Sequence, residues 1–427
     1  MRLTIPEPKI DLYTDGFAKH DKLSRKSTGD KLSELVERID DPLVIALDGA
    51  WGSGKSFFLK CWVGEHLKRD ETTTQTVYFD AFKHDFLDDP LIALTGAIAE
   101  RFEDAKDTVA QNAWSKAKRV APALGRTLVR TGISVATAGL VTKADELGDA
   151  AINTVSSEVD GAVAEFWKIE NKKRAAMEGF RQALVDLTEP DEDRVPTRKL
   201  VVVIDELDRC RPDYALSLLE IIKHFFNVDG VHFVLGVNLK ELQNSVCARY
   251  GSNIEAFKYL QKFVSVVAPI NGPKPRNTNF ASYLKYFDFV ASETGLTQSW
   301  KGEWLEEYLK LVDHHVHFSL RDIERLVTLA SVSPTPDMEY PAAPHIFLGL
   351  CVLKVATPDM FSKVRSQTLT FDEVTQVFNI RDRGQQSPFK QEAHFVWRLA
   401  LGLKKLKSRR GQIKQNPNSS RKRIRHR

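Results

Sequence analysis

The chain has 427 residues, of which 42% are hydrophobic and 28% are charged, proportions that are ordinary for a soluble globular protein of roughly two or three domains. Four cysteines, at positions 61, 210, 247 and 351, form no CxxC pair, which argues against a zinc ribbon or a dithiol redox site. They fit free thiols in a reduced, cytoplasmic compartment, and the amino terminus lacks the apolar segment of a secretory signal.

The first hundred residues are predicted to alternate helices and strands. Residues 43–47 form a short apolar run that ends at Asp48, which is typical of a buried strand. In chain order we predict a helix over 31–39, a strand over 43–47, a helix over 57–68, a strand over 77–79 and a helix over 90–105.

Residues 106–173 form an unusual segment that is rich in Ala, Val, Thr and Gly. Its most apolar part, 128–141, is short for a membrane span and is bounded by charged residues on both sides. We therefore predict a helical insertion in solution, with a peripheral contact to a membrane surface as the alternative.

The second half begins with two apolar strands. Residues 200–204 are followed by an acidic pair, and residues 231–237 are followed by Asn238, with a predicted helix over 214–226 between them. Because neither strand alternates with polar residues, we predict a parallel sheet that is covered on both faces. From residue 280 onward the pattern is helical, including 304–314 and 320–330, with a proline-marked loop over 334–344 and further helices to 403.

The carboxyl-terminal segment carries most of the excess positive charge. Residues 404–427 contain 11 lysines and arginines and no acid, whereas the rest of the chain has 50 basic and 57 acidic residues. We predict a disordered basic tail over 404–427. Two interpretations stay open: a solvated end, or a contact surface for nucleic acid, anionic lipid or an acidic partner.

The segment GAWGSGKS at 49–56 fits the Walker A pattern and stands between a predicted strand and a predicted helix, as that motif requires. Its glycines let the backbone turn tightly, so that N–H groups surround phosphate oxygens of ATP. Lys55 is expected to reach the β- and γ-phosphates and Ser56 to ligate Mg²⁺. The alternative is a glycine turn with a solvated lysine. We assign nucleotide contacts to Gly49, Trp51, Gly52, Ser53, Gly54, Lys55, Ser56 and Phe57.

The acidic pair after the strand over 200–204 fits the Walker B pattern. Asp205 is expected to hold Mg²⁺, and Glu206 to polarise the water that attacks the γ-phosphate. The alternative is a surface turn. The next two residues, Asp208 and Arg209, are expected to form a structural salt bridge rather than to take part in catalysis.

Four further polar positions are candidates for the same site. Asn238 is expected to orient water or sense the γ-phosphate from a strand beside the Walker B strand, or else to cap a helix. Arg321 and Arg325 lie one helical turn apart, and Arg321 is the preferred candidate to neutralise transition-state charge. Their alternative role is a surface ion pair, and Arg249 is a weaker candidate.

Two other clusters of residues could have a binding role. The histidines at 314, 315 and 317 suggest a metal site, but side chains of adjacent residues on a helix diverge and no cysteine or acid completes a ligand set. A surface or packing role is therefore favoured. The aromatic and basic residues at 82–85 follow a strand at the nucleotide edge of the sheet, where they help sense nucleotide or pack the insertion.

Together these motifs resemble the KAP family of P-loop NTPases. The likeness spans about residues 14–330 and lies in WGSGKS (51–56), FDAFKHD (79–85), IDELDRC (204–210), VLGVN (234–238), YLQKF (259–263) and SLRDIERL (319–326). It implies an additional-strand, catalytic-glutamate ATPase related to AAA+ and STAND proteins. Where the family frequently has Asp, this chain has Glu206, which is compatible with the catalytic role.

The resemblance also bears on cellular role. Many members carry two transmembrane helices in the insertion, which are not evident in 106–173, and similar bacterial members occur in antiphage defence operons. It further implies ring or dimer assembly with arginines supplied in trans, and a protein partner encoded nearby.

We therefore expect a three-layer α/β P-loop fold with a helical lid, acting as an ATP-hydrolysing switch. The expected division is 1–105 and 174–275 for the core, 106–173 for the insertion, 276–403 for the helical region and 404–427 for the tail. A nucleotide-gated scaffold with little turnover, or an ATPase that binds nucleic acid through the tail, are the alternatives.

Overall fold

A computed structural model describes residues 9–103, 115, 175, 177–270, 278–380 and 387–415, apart from the single positions 71, 88, 314, 317, 335, 337, 338 and 341. The chain forms two compact units, Lys9–Pro273 and Lys274–Arg427. The predicted insertion, including its apolar part at 128–141, lies outside the described residues except for Ser115.

The first unit is built on a five-stranded sheet. Its strands are β1 (Leu43–Asp48), β2 (Thr74–Asp80), β3 (Lys199–Asp205), β4 (Val231–Val237) and β5 (Val266–Pro269). Its helices are α1 (Phe17–His20), α2 (Lys26–Arg38), α3 (Lys55–His66), α4 (Ala81–His84), α5 (Pro90–Glu103), α6 (177–188), α7 (Pro212–Phe225), α8 (Leu239–Tyr250) and α9 (Ala256–Leu260), with a 3₁₀ turn at Leu207–Arg209.

The sheet is parallel throughout, in the order β2-β3-β4-β1-β5. The strand β4 therefore lies between β1 and β3, which confirms the prediction that Asn238 follows a strand beside the one that ends in the acidic pair. The edge strand β5 was not expected from the sequence. It is short and mostly exposed, so it lacks the long apolar run that identifies β3 and β4.

Alternate residues of the central strands face two separate cores. In β3, Val201 and Val203 pack with α1, α2 and α3, whereas Val202 and Ile204 pack with α5, α6, α7 and α8. Because successive side chains of a strand point to opposite faces, the middle of a strand that is buried on both faces is a nearly continuous apolar run. The arrangement confirms the predicted α/β three-layer sandwich.

The second unit is helical. It contains α10 (Thr278–Thr294), α11 (Trp300–Leu311), α12 (Leu320–Val332), α13 (Ala342–Ala356), α14 (Pro358–Arg365), α15 (Phe371–Phe378) and α16 (Pro388–Gln415), with a 3₁₀ turn at Leu296–Gln298. Its core includes Leu305, Leu326 and Trp397.

Two boundaries in this unit differ from the sequence prediction. Pro344, predicted in a loop, lies in the first turn of α13, where a missing N–H costs no helical hydrogen bond. The helix α16 continues to Gln415, so the first part of the basic segment is helical rather than disordered. Lysine, arginine, leucine and glutamine are good helix formers, and they extend the helix without a break. Residues 416–427 lie outside the described part of the chain.

A buried lysine joins the sheet to the end of α2. The Nζ of Lys199, the first residue of β3, donates to the carbonyls of Glu37 at 2.6 Å and Ile39 at 2.7 Å, and pairs with Asp40 at 2.8 Å. The last carbonyls of a helix have no partner within the helix. Lys199 supplies that partner and fixes α2 against the end of the sheet opposite to Asp205.

We expect Lys199→Met to lower the free energy of unfolding of the first unit by about 2 kcal/mol, because it removes hydrogen bonds from a charged donor to buried carbonyls. Lys19→Met is the matched control. That lysine is 78% exposed in its ion pair with Asp15, so its loss should change stability by less than about 0.5 kcal/mol. Urea unfolding measures both variants, and equal effects would contradict the capping role of Lys199.

Candidate active site

A glycine-rich loop joins β1 to α3. Gly52 and Gly54 have φ angles of 78° and 83°, in the left-handed region that residues with a Cβ rarely adopt. Gly54 is the N-cap of α3, which begins at Lys55. The unpaired N–H groups of a helix N-terminus carry partial positive charge, so this loop is suited to an anion.

Lys55 lies against the backbone of the same loop. Its Nζ donates to the carbonyl of Gly49 at 2.5 Å and to that of Ala50 at 3.3 Å, and the residue is 8% exposed. Burial lowers the pKa of this ammonium, and the charge of Asp208 acts in the opposite direction. The ammonium is thus held at the phosphate-binding loop by acceptors that an anionic ligand would replace.

Arg25, at the start of α2, supports the loop from the other side. Its Nη1 donates to the carbonyl of Ser53 at 2.8 Å. The carbonyl of Ser53 and the N–H of Gly54 belong to one planar peptide and point in opposite directions. Arg25 therefore fixes the direction of the Gly54 N–H. The sequence held no signal for this contact, since it joins residues 28 positions apart.

The carboxylate of Asp205 lies at the end of β3 and is 1% exposed. Tyr78 of β2 donates its hydroxyl to Oδ2 at 2.7 Å, and the N–H of Glu206 donates to Oδ1 at 2.9 Å. Burial raises the pKa of Asp205, and the bond from Tyr78 lowers it. Tyr78 was not expected from the sequence, because the pairing of β2 with β3 that brings it to Asp205 is a tertiary feature.

Gly236 of β4 is paired with Asp205 and leaves room for its carboxylate. A Cβ at this position would lie 2.7 Å from Oδ1 of Asp205 and would also overlap Leu59 of α3. The absence of a side chain thus lets a buried acid occupy the end of a strand between β2 and β4.

Glu206 has the left-handed backbone conformation, with φ of 59° and ψ of 25°. For a residue with a side chain this conformation costs about 1–2 kcal/mol, and such strain is typical of functional sites. Its Oε1 lies 3.4 Å from Oγ of Ser56 and 2.6 Å from Nη1 of Arg209. Burial raises the pKa of Glu206, and Arg209 opposes that shift.

The expected salt bridge between Asp208 and Arg209 is not formed, since each has another partner. Asp208 accepts from Nε1 of Trp51 at 2.6 Å, and Arg209 pairs with Glu206. In the 3₁₀ turn neighbouring side chains point about 120° apart, so Asp208 and Arg209 face different partners. The turn instead contacts both the glycine-rich loop and the acidic pair, and this prediction was wrong.

A family model for the KAP family P-loop domain matches residues 25–333. The chain belongs to the KAP family of P-loop NTPases. It is therefore a nucleotide-binding protein, and the glycine-rich loop between β1 and α3 is its P-loop. The comparison with curated proteins returns no match.

Solved structures resemble this KAP protein only loosely. The Aeropyrum pernix ORC2 protein, in ADPNP-ADP complexes, has 12% identity and a TM-score of 0.35, with 89% of this chain and 86% of that chain covered. C. elegans PCH-2 has 12% identity and a TM-score of 0.31, with 78% and 75% covered. The family assignment rests on the family model.

Asn238 caps α8 in this KAP protein. Its Oδ1 accepts from the N–H of Lys240 at 3.2 Å, and Asp48 at the end of β1 accepts from the N–H of Leu239 at 2.9 Å. The capping interpretation is thus observed, and a role in orienting water stays a prediction. The bond from Leu239 to Asp48 connects the end of β1 directly to the start of α8.

The candidate arginines fall in different places. Arg321 is exposed on α12 in the second unit, and its role stays a prediction. Arg325 pairs with Asp322 at 3.7 Å and is 74% exposed, as in the surface-pair interpretation. Arg249 of α8 pairs with Asp213 at 3.1 Å.

The remaining clusters hold no metal site within the described residues. Of the three histidines, 314 and 317 lie outside those residues, and His315 contacts Asp313. After β2, His84 stacks on Phe79, and Asp85 accepts from the Nε of Arg211 at 2.9 Å. No helix in the described part of the chain is long and apolar enough to cross a membrane.

Gly236→Ala is expected to displace the Asp205 carboxylate, which would weaken nucleotide binding and lower the unfolding free energy by about 1–3 kcal/mol. The control is Gly96→Ala in α5, where a Cβ would meet open space and where alanine should stabilise the helix by about 1 kcal/mol. Urea unfolding and titration with ATP measure both effects. Gly236→Ala behaving like Gly96→Ala would contradict this account of the strand end.

Proposed function

We propose that this KAP protein hydrolyses ATP with Mg²⁺ and uses the cycle as a conformational switch. The observation that supports hydrolysis is the meeting of Ser56, from the P-loop helix, with Glu206, from the end of β3, at 3.4 Å. A site that only held nucleotide would not need a strained acid beside the hydroxyl at the end of its P-loop.

The P-loop would bind the phosphates. We assign contacts to Gly49, Trp51, Gly52, Ser53, Gly54, Lys55, Ser56 and Phe57. Backbone N–H groups of the loop and the start of α3 would donate to phosphate oxygens. Lys55 would exchange its bonds to the Gly49 and Ala50 carbonyls for bonds to the β- and γ-phosphates.

The hydroxyl of Ser56 and the carboxylate of Asp205 fit Mg²⁺, which prefers hard oxygen ligands. The fit is supported by the nearly complete burial of Asp205 and by the space that Gly236 leaves beside its Oδ1. When bound, Mg²⁺ would neutralise negative charge on the phosphates. The part of Tyr78 is to hold Oδ2 of Asp205 in place.

Glu206 is the proposed general base. Its carboxylate would accept a proton from the water that attacks the γ-phosphate, which requires the ionised form. The positive charge of Arg209 favours that form against the effect of burial. Asn238 would orient the water, and Arg321 would offset negative charge that develops in the transition state.

The cellular role proposed here rests on the family resemblance. We propose a bacterial antiphage defence switch that works in the cytoplasm with a protein partner encoded nearby and as a homo-oligomer. Contact of the basic residues after 403 with nucleic acid, and peripheral contact with a membrane, are secondary proposals. Nucleic-acid binding through the tail would weaken steeply with salt and would be lost when the tail is deleted.

Glu206→Gln is expected to keep ATP binding and to lower the rate of phosphate release by about 10²–10⁴, because the amide cannot accept the proton. The matched control is Glu255→Gln, an exposed glutamate paired with Lys258, which should leave the rate unchanged. Phosphate release with and without gene products encoded nearby measures turnover, and equilibrium titration measures binding.

Two results would count against the proposal in different ways. A Glu206→Gln protein that hydrolyses ATP at the wild-type rate would exclude Glu206 as the base. Wild-type protein that retains ATP through purification with negligible phosphate release would replace the hydrolytic switch with a nucleotide-gated scaffold.

A further inference from the structure

The backbone of Glu206 is fixed by short-range bonds. Its N–H donates to Oδ1 of Asp205 at 2.9 Å, and its carbonyl accepts from the N–H of Arg209 at 3.1 Å. These bonds close the left-handed turn that follows β3. They set where the side chain of Glu206 begins but leave its three rotatable bonds free to place the carboxylate in several positions.

Two contacts restrict the carboxylate itself. Arg209 approaches Oε1 at 2.6 Å from three residues along the turn, and Ser56 approaches the same oxygen at 3.4 Å. A hydrogen bond at 3.4 Å is long, whereas 2.6 Å is slightly shorter than the roughly 2.7–2.9 Å of charge-assisted N–H···O contacts. Arg209 is therefore the stronger of the two restraints.

The weaker contact would change when Mg²⁺-ATP binds. Under the proposed function the oxygen of Ser56 ligates Mg²⁺, and its single proton can be donated to only one acceptor. Asp205 competes for that proton, since it also interacts with Ser56. Arg209 would then be the main group that holds the carboxylate of Glu206 during hydrolysis.

The turn that carries Arg209 is itself anchored. Its middle residue, Asp208, is 7% exposed and accepts from the indole N–H of Trp51 in the P-loop at 2.6 Å. Cys210 at the end of the turn donates its Sγ to the carbonyl of Glu206 at 3.6 Å. Because the middle and the end of the turn are held by these bonds, the backbone that carries the side chain of Arg209 is fixed.

We propose that Arg209 is a positioning residue for ATP hydrolysis, which orients the carboxylate of Glu206 toward the attacking water through the contact at Oε1. The inference rests on the proposed function. A carboxylate has about four lone-pair sites, so one oxygen held by arginine leaves acceptor capacity for water and its proton. Arg209 affects the rate through Glu206 and needs no contact with the phosphates.

The test uses full-length protein with Arg209→Met, Arg209→Lys and Glu206→Gln, with ATP and Mg²⁺ as the probe. Arg209→Met is expected to lower kcat by about 10-fold to 100-fold, since a displaced catalytic group can cost that much, while the Kd for ATP changes by less than about twofold. Arg209→Lys keeps a cation of different shape and should recover part of the lost rate. Arg209→Met in a Glu206→Gln background should cause little further loss.

The control is Arg198→Met. Arg198 also pairs with a glutamate, Glu189, at 3.5 Å, but it precedes the first residue of β3 and so lies at the opposite end of that strand from Glu206. Arg198→Met should leave kcat and the Kd for ATP unchanged.

Three results would overturn the inference. The first is a kcat for Arg209→Met equal to that of wild type. The second is a kcat for Arg209→Met above that of wild type, which would mean that Arg209 restrains the general base. The third is loss of ATP binding in both Arg209 variants, which would make the role of Arg209 structural. Wild-type turnover no higher than that of Glu206→Gln would instead overturn the proposed function, and the inference with it.

Discussion

Register between parallel strands brings together the acidic and glycine residues of the candidate site. The pairing of β1 with β4 sets Asp48 beside Val237, and the pairing of β4 with β3 sets Gly236 beside Asp205. Because the strands are parallel, their carboxyl ends meet at one edge of the sheet, where a ligand of an open α/β sheet binds. A shift of one residue would turn Asp205 toward the other face and separate it from Ser56.

The buried carboxylate of Asp205 at that edge requires hydrogen-bond donors and space from its neighbours. Asp205 can be buried because Tyr78 and the N–H of Glu206 satisfy its two oxygens and because Gly236 has no Cβ. Its pKa is raised by burial, so a nearby cation would stabilise the ionised form. Under the proposed function, that positive charge comes from Lys55 and from Mg²⁺ together.

Much of the fold follows from the sequence, because β1, β3 and β4 are mostly apolar and the P-loop follows the first of them directly. What escaped prediction depends on contacts between distant parts of the chain. The support of Ser53 by Arg25 and of Asp205 by Tyr78 arises only once strands and helices are packed. The strand β5 had no long apolar run to predict it, because it is short and exposed. The contacts of Asp208 and Arg209 depend on a tight 3₁₀ turn that the composition of the sequence does not reveal. The roles of Asn238 and Arg321 stay predictions.

Under the proposed function, the P-loop and Asp205 form a single site for ATP and Mg²⁺. Calorimetric titration of ATP with and without Mg²⁺, in wild type, Lys55→Met and Asp205→Asn, tests this claim. We expect Mg²⁺ to strengthen ATP binding by wild type, Lys55→Met to bind weakly in both conditions, and Asp205→Asn to bind ATP with little response to Mg²⁺. Wild-type affinity that is the same with and without Mg²⁺, or a full Mg²⁺ response in Asp205→Asn, would contradict the claim.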